Sequence, residues 1–446
     1  MKKVITYGTF DLFHEGHYNL LKRAKALGDY LVVGVTTENF DLERGKINTS
    51  DSLMDRVEAV RKTGLADKVV IEEYKGQKID DIRRYGIDIF AIGSDWTGKF
   101  DYLKEFCEVI YLPRTEGVSS TQLRASRPSV KIGVIGTGSI AGRFVDEAAF
   151  VSGAEIMAAY NPDAEEATRF VAGKGIPKVA GSTEELLAEV DAVYIASPHG
   201  THYAYSKAAL EAGKHVLCET PFTLSADEAK ELIELASQKE ICLMVALKTA
   251  YCPAFGRLIT LLLSGEIGEI VEVNASVTTL TDENSPKLSA EALGGSMNEN
   301  ACFPMLPIFK LLGTDWRDIA FYSKERGGTD IFTKAVLRYD KAVASFQVGL
   351  GVKTEGNLVV SGTKGYAYVP APWWKTDYFE IRYEDMNRNK KFFYPYDGEG
   401  LRYEIKNFVG TILSRENAWP KLSAEENIAM AKVQEDFLAG KNVYSI

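Results

Sequence analysis

Long apolar runs, paired cysteines and an excess of positive charge are all missing from this chain of 446 residues. Its apolar stretch at 241–247 is far too short to span a membrane, and the N-terminus lacks the pattern of a signal peptide. The five cysteines are scattered with no C-x-x-C motif, which favours reduced thiols in a cytoplasm. The net charge of −10 argues against nucleic acid as a partner. We therefore expect a cytoplasmic protein with no membrane or nucleic-acid partner.

The rest of the composition, 46% apolar and 26% charged residues, is typical of a globular chain with two or three domains. Short apolar runs and helical patterns alternate along the first 126 residues. Such alternation predicts an α/β architecture with a parallel, doubly wound sheet. Ligands of such sheets bind where the strands end at their carboxyl edge.

Histidine is scarce, with five in the whole chain, yet His14 and His17 stand close together after a predicted strand at 3–6. Their spacing is nearly one helical turn, so both rings should face the same way at the start of a predicted helix. Free backbone N–H groups at a helix start favour phosphate, and two imidazoles there can stabilise a phosphate in a transition state. A capping or surface role is the plainer alternative. A metal site would need a third ligand, and none lies nearby in the sequence.

A second group of phosphate-binding side chains follows the predicted strand at 109–112. Ser119, Ser120 and Thr121 look like the first turn of a helix, and Arg114 precedes them. A helix cap would explain one hydroxyl but not three. Arginine can pair with two phosphate oxygens at once. The two helix starts together predict a site for a triphosphate whose oxygens are bridged by Mg²⁺.

Three segments of this region, at 8–17, 93–101 and 111–117, carry the pattern of a known family. The first reads Gly-Thr-Phe-Asp-x-x-His-x-Gly-His, and the last contains Arg-Thr-Glu-Gly. They resemble the glycerol-3-phosphate cytidylyltransferase family of the nucleotidyltransferase superfamily. The resemblance implies transfer of CMP from CTP to a polyol phosphate, with release of pyrophosphate.

The resemblance also implies a role for each matching residue. His14 and His17 would stabilise the transferring α-phosphate, while Lys46 and Arg114 would neutralise phosphate charge. The residues implied to bind CTP or its acceptor are Gly8, Thr9, Phe10, Asp11, Arg56, Asp95, Trp96, Thr115, Ser119, Ser120 and Thr121. No metal ligand among the protein side chains is predicted.

Two positions depart from the family's pattern. Arg44 stands where the family usually has Lys, and Gly64 stands where it has Arg. These changes leave the use of CTP in place but leave the acceptor open, and an adenylyltransferase of the same superfamily is the alternative. For Asp95 and Trp96, a turn and a core aromatic fit the sequence as well as a ligand contact does.

A dinucleotide fingerprint follows an Arg-Pro-Ser linker at 127–129. Gly136 and Gly138 begin a G-x-G-x-x-A pattern between a predicted strand at 130–135 and a helix. Asn161 ends the next predicted strand, where an acidic residue usually binds the ribose. Because an amide does not repel a 2′-phosphate, NAD and NADP both fit.

Segments 193–202 and 212–221 strengthen that prediction, because they resemble the Gfo/Idh/MocA oxidoreductase family. The resemblance extends from about residue 130 to the end of the chain. It implies a Rossmann domain followed by an α+β domain with a large, mostly antiparallel sheet. The residues implied to bind the cofactor are Gly136, Gly138, Ser139, Ile140, Asn161, Ser197, Pro198, His202 and Glu219.

The catalytic motif of that family is altered here. The family's Glu-Lys-Pro reads Glu219-Thr220-Pro221, and Phe303 stands where the family has His. Either the domain has lost its redox chemistry, or another group supplies the proton. Lys248 is the first candidate, because its strand at 242–247 should neighbour the strand ending at Glu219, although a solvated lysine is equally compatible. Glu299 is the second candidate.

The sequence thus predicts three domains, at 1–127, 128–252 and 253–446, in a bifunctional enzyme that forms a homo-oligomer. The later domains would reduce a small keto-sugar or polyol precursor with NAD(P)H, and the first would activate the polyol phosphate with CTP. The product would be a CDP-alditol such as CDP-glycerol, used for a cell-surface polymer. The alternative is a cytidylyltransferase with a non-catalytic dinucleotide-sensing or oligomerisation domain, or two unrelated activities.

Overall fold

The computed structural model describes residues 1–37, 51, 53–72, 76–113, 129–394, 396–414 and 421–446. The chain forms two compact units. The first comprises Met1–Pro128 with Phe150–Gly153, and the second comprises Ser129–Ala149 with Ala154–Ile446. No helix in these described parts of the chain is long and apolar enough to cross a membrane.

The first unit is built on a five-stranded parallel sheet. Its strands are β1 (Lys3–Gly8), β2 (Tyr30–Thr36), β3 (Lys68–Glu72), β4 (Ile89–Gly93) and β5 (Glu108–Leu112). Its described helices are α1 (Glu15–Lys25), α2 (Leu53–Lys62) and α3 (Gln77–Tyr85). The strand order is β3-β2-β1-β4-β5, so the order reverses at β1. A ligand crevice is expected at that switch point, beyond the carboxyl end of β1.

Alternating side chains explain why helices cover both faces of this sheet. Val4 packs in a cluster with Leu21 of α1, whereas its neighbour Ile5 belongs to the opposite cluster with Phe90. Successive residues of a strand point to opposite faces, so a strand that is apolar throughout must be buried on both. The predicted parallel, doubly wound sheet is confirmed.

The second unit begins with a six-stranded parallel sheet. Its strands are β6 (Val130–Ile135), β7 (Ala154–Tyr160), β8 (Lys178–Val179), β9 (Ala192–Ile195), β10 (His215–Glu219) and β11 (Leu243–Ala246). Its helices are α4 (Ser139–Ala148), α5 (Ala164–Lys174), α6 (Thr183–Glu189), α7 (His202–Glu211) and α8 (Ala226–Gln238). The order β11-β10-β9-β6-β7-β8 is that of a Rossmann sheet, as predicted.

A nine-stranded sheet forms the rest of this unit. Its strands are β12 (Ile270–Thr278), β13 (Asp318–Arg326), β14 (Thr329–Arg338), β15 (Val343–Gly349), β16 (Leu358–Gly362), β17 (Tyr366–Val369), β18 (Tyr378–Arg382), β19 (Lys390–Phe393) and β20 (Val443–Ser445). The order is β19-β18-β17-β16-β12-β15-β14-β13-β20. The β12–β15 and β13–β20 pairs are parallel and the others antiparallel, which confirms the large, mostly antiparallel sheet.

One late helix returns to the Rossmann sheet. The helices after β11 are α9 (Pro253–Leu263), α10 (Ser296–Asn300), α11 (Cys302–Leu312), α12 (Leu401–Ser414) and α13 (Ala424–Leu438). Helix α12 packs on α4 and on the 3-10 turn Lys248–Tyr251. Arg402 of α12 forms a bidentate ion pair with Glu147 of α4, with N–O distances of 3.0 and 2.8 Å. This contact brings α12 against the carboxyl edge of the Rossmann sheet.

Candidate functional site

The predicted histidine pair, His14 and His17, lies where the loop after β1 leads into α1. His14 caps the helix, and its ring stacks on that of His17 with centroids 4.0 Å apart. His14 Nδ1 accepts a hydrogen bond of 3.0 Å from the Gly16 N–H, so the neutral ring carries its proton on Nε2. Burial lowers the pKa of His14, which favours that neutral ring. His14 can therefore donate a hydrogen bond from Nε2 at neutral pH.

The loop before the pair is tightly folded. Phe10 and Leu12 have φ of +54° and +51°, a left-handed conformation that side chains rarely adopt. A Cβ on Gly8 would lie 3.0 Å from the Phe10 ring, so a side chain there would require the ring to shift. Phe10 is 1% exposed and packs against His17 at 5.5 Å. The Phe10 ring thus lies in the core against His17, and its predicted contact with CTP stays a prediction.

Asp11 is held in place by Asp51, a residue whose role the sequence did not indicate. The Asp11 carboxylate is buried and accepts a 2.9 Å hydrogen bond from the Asp51 N–H. The Asp51 carboxylate in turn accepts one of 2.9 Å from the Leu12 N–H. An aspartate just before a helix is a common cap, and that was the available signal for Asp51. The two carboxylates hold the motif loop on the segment that leads into α2.

Arg56 is fully buried behind the same loop. Its guanidinium donates to the carbonyl oxygens of Asp51 at 3.1 Å, Thr9 at 2.8 Å and Thr36 at 2.7 Å. Charge-assisted bonds to three carbonyls fix the backbone at the ends of β1 and β2. These contacts show that Arg56 orders the loop, and its predicted contact with CTP stays a prediction.

Asp95 and Trp96 lie in the 3-10 turn after β4, at the same edge of the sheet. Asp95 is exposed, while the Trp96 ring packs on Phe100 at 5.8 Å. The ammonium of Lys99 lies 5.2 Å from the centre of the Trp96 ring. The tryptophan is thus packed as a core aromatic, and a ligand contact for either residue stays a prediction.

A buried polar cluster that the sequence did not reveal lies beside the end of β1. The Tyr7 hydroxyl donates to Asp81 at 2.7 Å, and Gln77 donates to the same carboxylate at 3.1 Å. Lys78 pairs with Glu72 at the end of β3, and its ammonium lies 4.4 Å from the centre of the Tyr7 ring. Burial and the Asp81 contact raise the pKa of Tyr7. Charged residues at a strand end and on a helix carry no spacing signal, so the sequence could not place them together.

The remaining predicted CTP ligands lie outside the described residues. They are Lys46, Arg114, Thr115, Ser119, Ser120 and Thr121. Their roles stay predictions.

In the second unit, a cavity of about 1010 Å³ lies at the carboxyl edge of the Rossmann sheet. Its wall includes each predicted cofactor residue and both predicted proton donors: Gly136, Gly138, Ser139, Ile140, Asn161, Ser197, Pro198, His202, Glu219, Lys248 and Glu299. The cavity therefore joins a dinucleotide motif to a group of ionisable side chains.

The glycine end of the cavity fits a dinucleotide. Gly136 has φ of +100°, and a Cβ there would lie 2.3 Å from the Ala196 carbonyl oxygen. A Cβ on Gly138, at the start of α4, would meet no protein atom within 4 Å, so the helix start faces open space. Exposed N–H groups at a helix start suit a pyrophosphate. Asn161, where the sequence predicts the ribose contact, lines the cavity and donates to the Thr137 hydroxyl at 2.5 Å.

The opposite end holds Glu219 and Lys248. Glu219 pairs in register with Ala246 of β11, so Lys248 enters the cavity from the next strand, as the sequence predicted. The Tyr194 hydroxyl donates to Glu219 at 2.5 Å. Burial raises the pKa of Glu219 to about 7, although this hydrogen bond opposes the rise. Lys248 Nζ donates to the Glu399 carbonyl oxygen at 2.9 Å, and burial lowers the pKa of Lys248.

Glu299 lies in a charged group with two residues that the sequence did not reveal. Its carboxylate pairs with Lys287 at 2.5 Å and lies 3.6 Å from Nε2 of His199. Burial lowers the pKa of His199. The spacing of His199 from His202, equal to that of the first pair, was the available signal. Glu299 is thus engaged in an ion pair with Lys287, and the proton-donor roles of Glu299 and Lys248 stay predictions.

His202 is 1% exposed, and a carbonyl oxygen faces each of its ring nitrogens, only one of which carries a proton in the neutral ring. Nδ1 lies 2.7 Å from the Pro221 carbonyl oxygen, and Nε2 lies 2.8 Å from that of Ser197. Burial lowers the pKa of His202 to about 4. A neutral ring so enclosed packs between two loops of the cavity wall and is not a free acid.

Comparison with known proteins follows the same division of the chain. Residues 5–126 match the cytidylyltransferase-like family. Residues 130–247 match the Gfo/Idh/MocA family, an oxidoreductase family with an NAD-binding Rossmann fold. A glycerol-3-phosphate cytidylyltransferase from Bacillus spizizenii is 54% identical over 130 residues, which are 29% of this chain and 100% of that protein. The chain belongs to both families. It joins a nucleotidyltransferase unit to an oxidoreductase unit.

The oxidoreductase unit has relatives of its own. A scyllo-inositol 2-dehydrogenase (NADP(+)) from Bacillus subtilis is 29% identical over 336 residues, covering 69% of this chain and 95% of that protein. The structure of a 3-ketoreductase from Actinomadura kijaniata, in complex with NADP and TDP-benzene, superimposes with a TM-score of 0.64 at 24% identity. It covers 71% of this chain and 99% of that chain, and it shows the same fold.

Proposed function

We propose that the protein is a bifunctional cytoplasmic enzyme that forms a homo-oligomer. Its oxidoreductase unit reduces a small keto-sugar or polyol precursor with NADH or NADPH. Its cytidylyltransferase unit transfers CMP from Mg²⁺-bound CTP to glycerol phosphate or a related polyol phosphate, releasing pyrophosphate. The product is a CDP-alditol such as CDP-glycerol, which supplies a cell-surface polymer. The observation that carries the proposal is that Lys248 and Glu219 enter the same cavity as Gly138.

Cytidylyl transfer needs positioned donors and no covalent intermediate. A phosphate oxygen of the acceptor attacks the α-phosphorus of CTP, and the bond to pyrophosphate breaks. The Gly16 contact leaves Nε2 of His14 as a donor, and the His17 ring stacks on His14. In this proposal both rings donate to the phosphate. Donors aimed at charge that grows in the transition state lower the barrier. The 54% identical relative named as a glycerol-3-phosphate cytidylyltransferase supports this substrate class.

Ketone reduction needs a proton at the carbonyl oxygen. Bound NAD(P)H supplies a hydride to the carbonyl carbon. Lys248 gives a proton to the resulting alkoxide, and its lowered pKa suits a donor at neutral pH. Glu219, held by the Tyr194 hydroxyl, places a carboxylate near that ammonium. The two side chains thus replace the lysine that is absent at Thr220.

A second function is favoured by one observation. Thr220 and Phe303 line the cavity where the family resemblance implies a proton donor. In this alternative the oxidoreductase unit binds a dinucleotide without reducing a substrate, and serves as a sensing or oligomerisation domain.

A product assay separates the two functions. The full chain is incubated with CTP, NAD(P)H and a panel of ketose and keto-polyol phosphates, with matched polyol phosphates as a control that bypasses reduction. We expect at least one keto compound to yield a CDP-alditol only when both nucleotides are present. If glycerol phosphate gives CDP-glycerol but NAD(P)H binds without oxidation by any keto compound, the sensing function replaces the reductase.

A further inference from the structure

The part of the cavity where the sequence predicts the ribose contact holds a carboxylate. Asn161 directly follows β7, at the position where a Rossmann site for NAD usually carries an acid. Its side-chain amide donates to the Glu166 carboxylate at 3.1 Å, and Glu166 lies in the first turn of α5. Both side chains line the cavity. The acid that is missing at the end of the strand is thus supplied to the same place by the next helix.

The orientation of the Asn161 amide is fixed by its neighbours. Its carbonyl oxygen accepts a 2.9 Å hydrogen bond from the Asp163 N–H, and a backbone N–H can bond only to the oxygen of an amide. The Nδ2 group therefore faces the other way, where it donates to the Thr137 hydroxyl at 2.5 Å and to Glu166 at 3.1 Å. Because both N–H groups of Nδ2 are engaged, Asn161 has no spare donor for a phosphate, and it holds the Glu166 carboxylate in place.

The start of α5 is also unsuited to a phosphate. The Asp163 carboxylate accepts the N–H groups of Glu165 and Glu166, at 2.9 and 3.0 Å. It therefore occupies donors that a helix start otherwise offers to an anion. Asp163, Glu165 and Glu166 bring three carboxylates to this turn, against the one guanidinium of Arg169 that lines the cavity. The surroundings of Asn161 are thus net negative.

We propose that Glu166 makes NADH, rather than NADPH, the preferred coenzyme of the reductase. The 2′-hydroxyl of the NADH ribose can donate a hydrogen bond to a carboxylate at this position. The 2′-phosphate of NADPH has about two negative charges at neutral pH and is repelled by the same carboxylate. The inference rests on the proposed reductase only in that this unit binds a nicotinamide coenzyme, and it is tested by binding alone.

Arg169 is the one cation of this turn, and it does not reverse the preference. It lies three residues after Glu166, so the two side chains share one face of α5. A 2′-phosphate that approached Arg169 would therefore also approach the Glu166 carboxylate. An arginine can instead stack on an aromatic ring such as adenine, which both coenzymes carry. We therefore expect Arg169 to contribute to the binding of both.

Calorimetry of the full chain with NADH and with NADPH measures the preference. We expect the wild type to bind NADH at least about tenfold more tightly. Glu166→Gln removes the charge but keeps the size and the helix propensity of the side chain. Glu166 is exposed, so the fold should tolerate this change. The ratio of the two dissociation constants should narrow at least about fivefold in the variant, because NADPH is no longer repelled.

Glu165→Gln is the matched control, because it removes the same charge from the same helical turn. Of these two neighbours, Glu166 is the one that lines the cavity and bonds to Asn161. In Glu165→Gln the ratio of dissociation constants should stay within about twofold of the wild type. An equal change in both variants would assign the preference to the general charge of the turn and contradict the role of Glu166.

Arg169→Gln tests the opposite preference. It should weaken NADH and NADPH to a similar extent. A selective loss of NADPH binding would show that Arg169 binds the 2′-phosphate, and the inference would be wrong.

The same measurements separate this inference from the proposed function. A wild type that binds NADPH as tightly as NADH, or a ratio unchanged in Glu166→Gln, would overturn the inference and leave the reductase in place. If NADH is preferred but no keto compound is reduced, the reductase fails, and the coenzyme preference holds for a dinucleotide-sensing unit. Protein that binds neither coenzyme would overturn both.

Discussion

Two histidine pairs with the same spacing occupy the two units, each between a strand and a helix. His14 and His17 follow β1, and their rings stack at 4.0 Å. His199 and His202 follow β9, and their rings meet edge to face at 5.8 Å. In the first pair a backbone N–H holds Nδ1 of His14, whereas carbonyl oxygens face both nitrogens of His202. Spacing brings two rings together in both units, but the neighbouring backbone decides whether a ring can donate to a ligand.

The residues of the two sites are therefore separated by different distances along the chain. The first uses residues of one short loop, which a motif can reveal. The second draws Glu219 and Lys248 from two separate segments that meet through sheet order. The experiments below test that contrast.

The largest effect is expected from Lys248→Met. Removing a general acid typically costs about a hundredfold to ten-thousandfold, so NAD(P)H oxidation should fall by that range with the cofactor still bound. CTP-dependent transfer should not change. Lys375→Met, which removes the partner of Glu399 at 2.8 Å, is the control and should retain most activity. Oxidation within tenfold of wild type would place the proton donor elsewhere.

His14→Ala and His17→Ala should lower the CTP-dependent rate by about a hundredfold or more, because each removes a group that we propose donates to the transition-state phosphate. NAD(P)H oxidation by the same preparations should be normal. His215→Ala serves as the control. His215 lies in neither site, and its Nδ1 accepts a hydrogen bond from the Cys242 N–H. Near-normal CDP-product formation in either variant would refute the assigned role.

Gly138→Val should weaken NAD(P)H binding at least about tenfold, since the new side chain occupies space where the pyrophosphate approaches the helix start. The fold should tolerate it, because no protein atom lies within 4 Å of the added Cβ. Gly173→Val on α5 also enters open space, away from the cavity, and should bind normally. Calorimetry measures both. If the wild-type protein binds neither NAD(H) nor NADP(H), the prediction that this unit binds a dinucleotide is wrong.

The smallest effect on catalysis is expected from His202→Asn. The folded protein holds the pKa of His202 at about 4, whereas the unfolded chain takes up a proton near 6.5. Stability of the wild type should therefore fall as the pH drops from 6.5 towards 4, by up to about 3 kcal/mol. The variant should lack this decline in urea unfolding and keep NAD(P)H oxidation within tenfold at pH 7.5. A larger loss of turnover would show that His202 takes part in the reaction, as we propose for His14 and His17.

Much of the fold follows from the sequence, because alternating apolar runs specify parallel strands and their helices. The Lys248 position was also accessible, since β10 and β11 are consecutive strands and pair side by side. The contact between Asp11 and Asp51 was not, because it depends on how the chain returns after β2. The ion pair of Arg402 with Glu147 was inaccessible for the same reason, because it depends on the packing of α12 on α4.

The pairing of Glu219 with Ala246 bears on how this cavity compares with the catalytic motif of the family. Residues just past the ends of β10 and β11, Thr220 and Lys248, enter one cavity from adjacent strands. Strands lie about 5 Å apart, and two ammonium groups held so close would each disfavour the other's charge. A lysine at position 220 would therefore disfavour the charged form of Lys248. If Lys248 is the proton donor, as we propose, a comparison of position 220 alone would score as lost a function that lies one strand away.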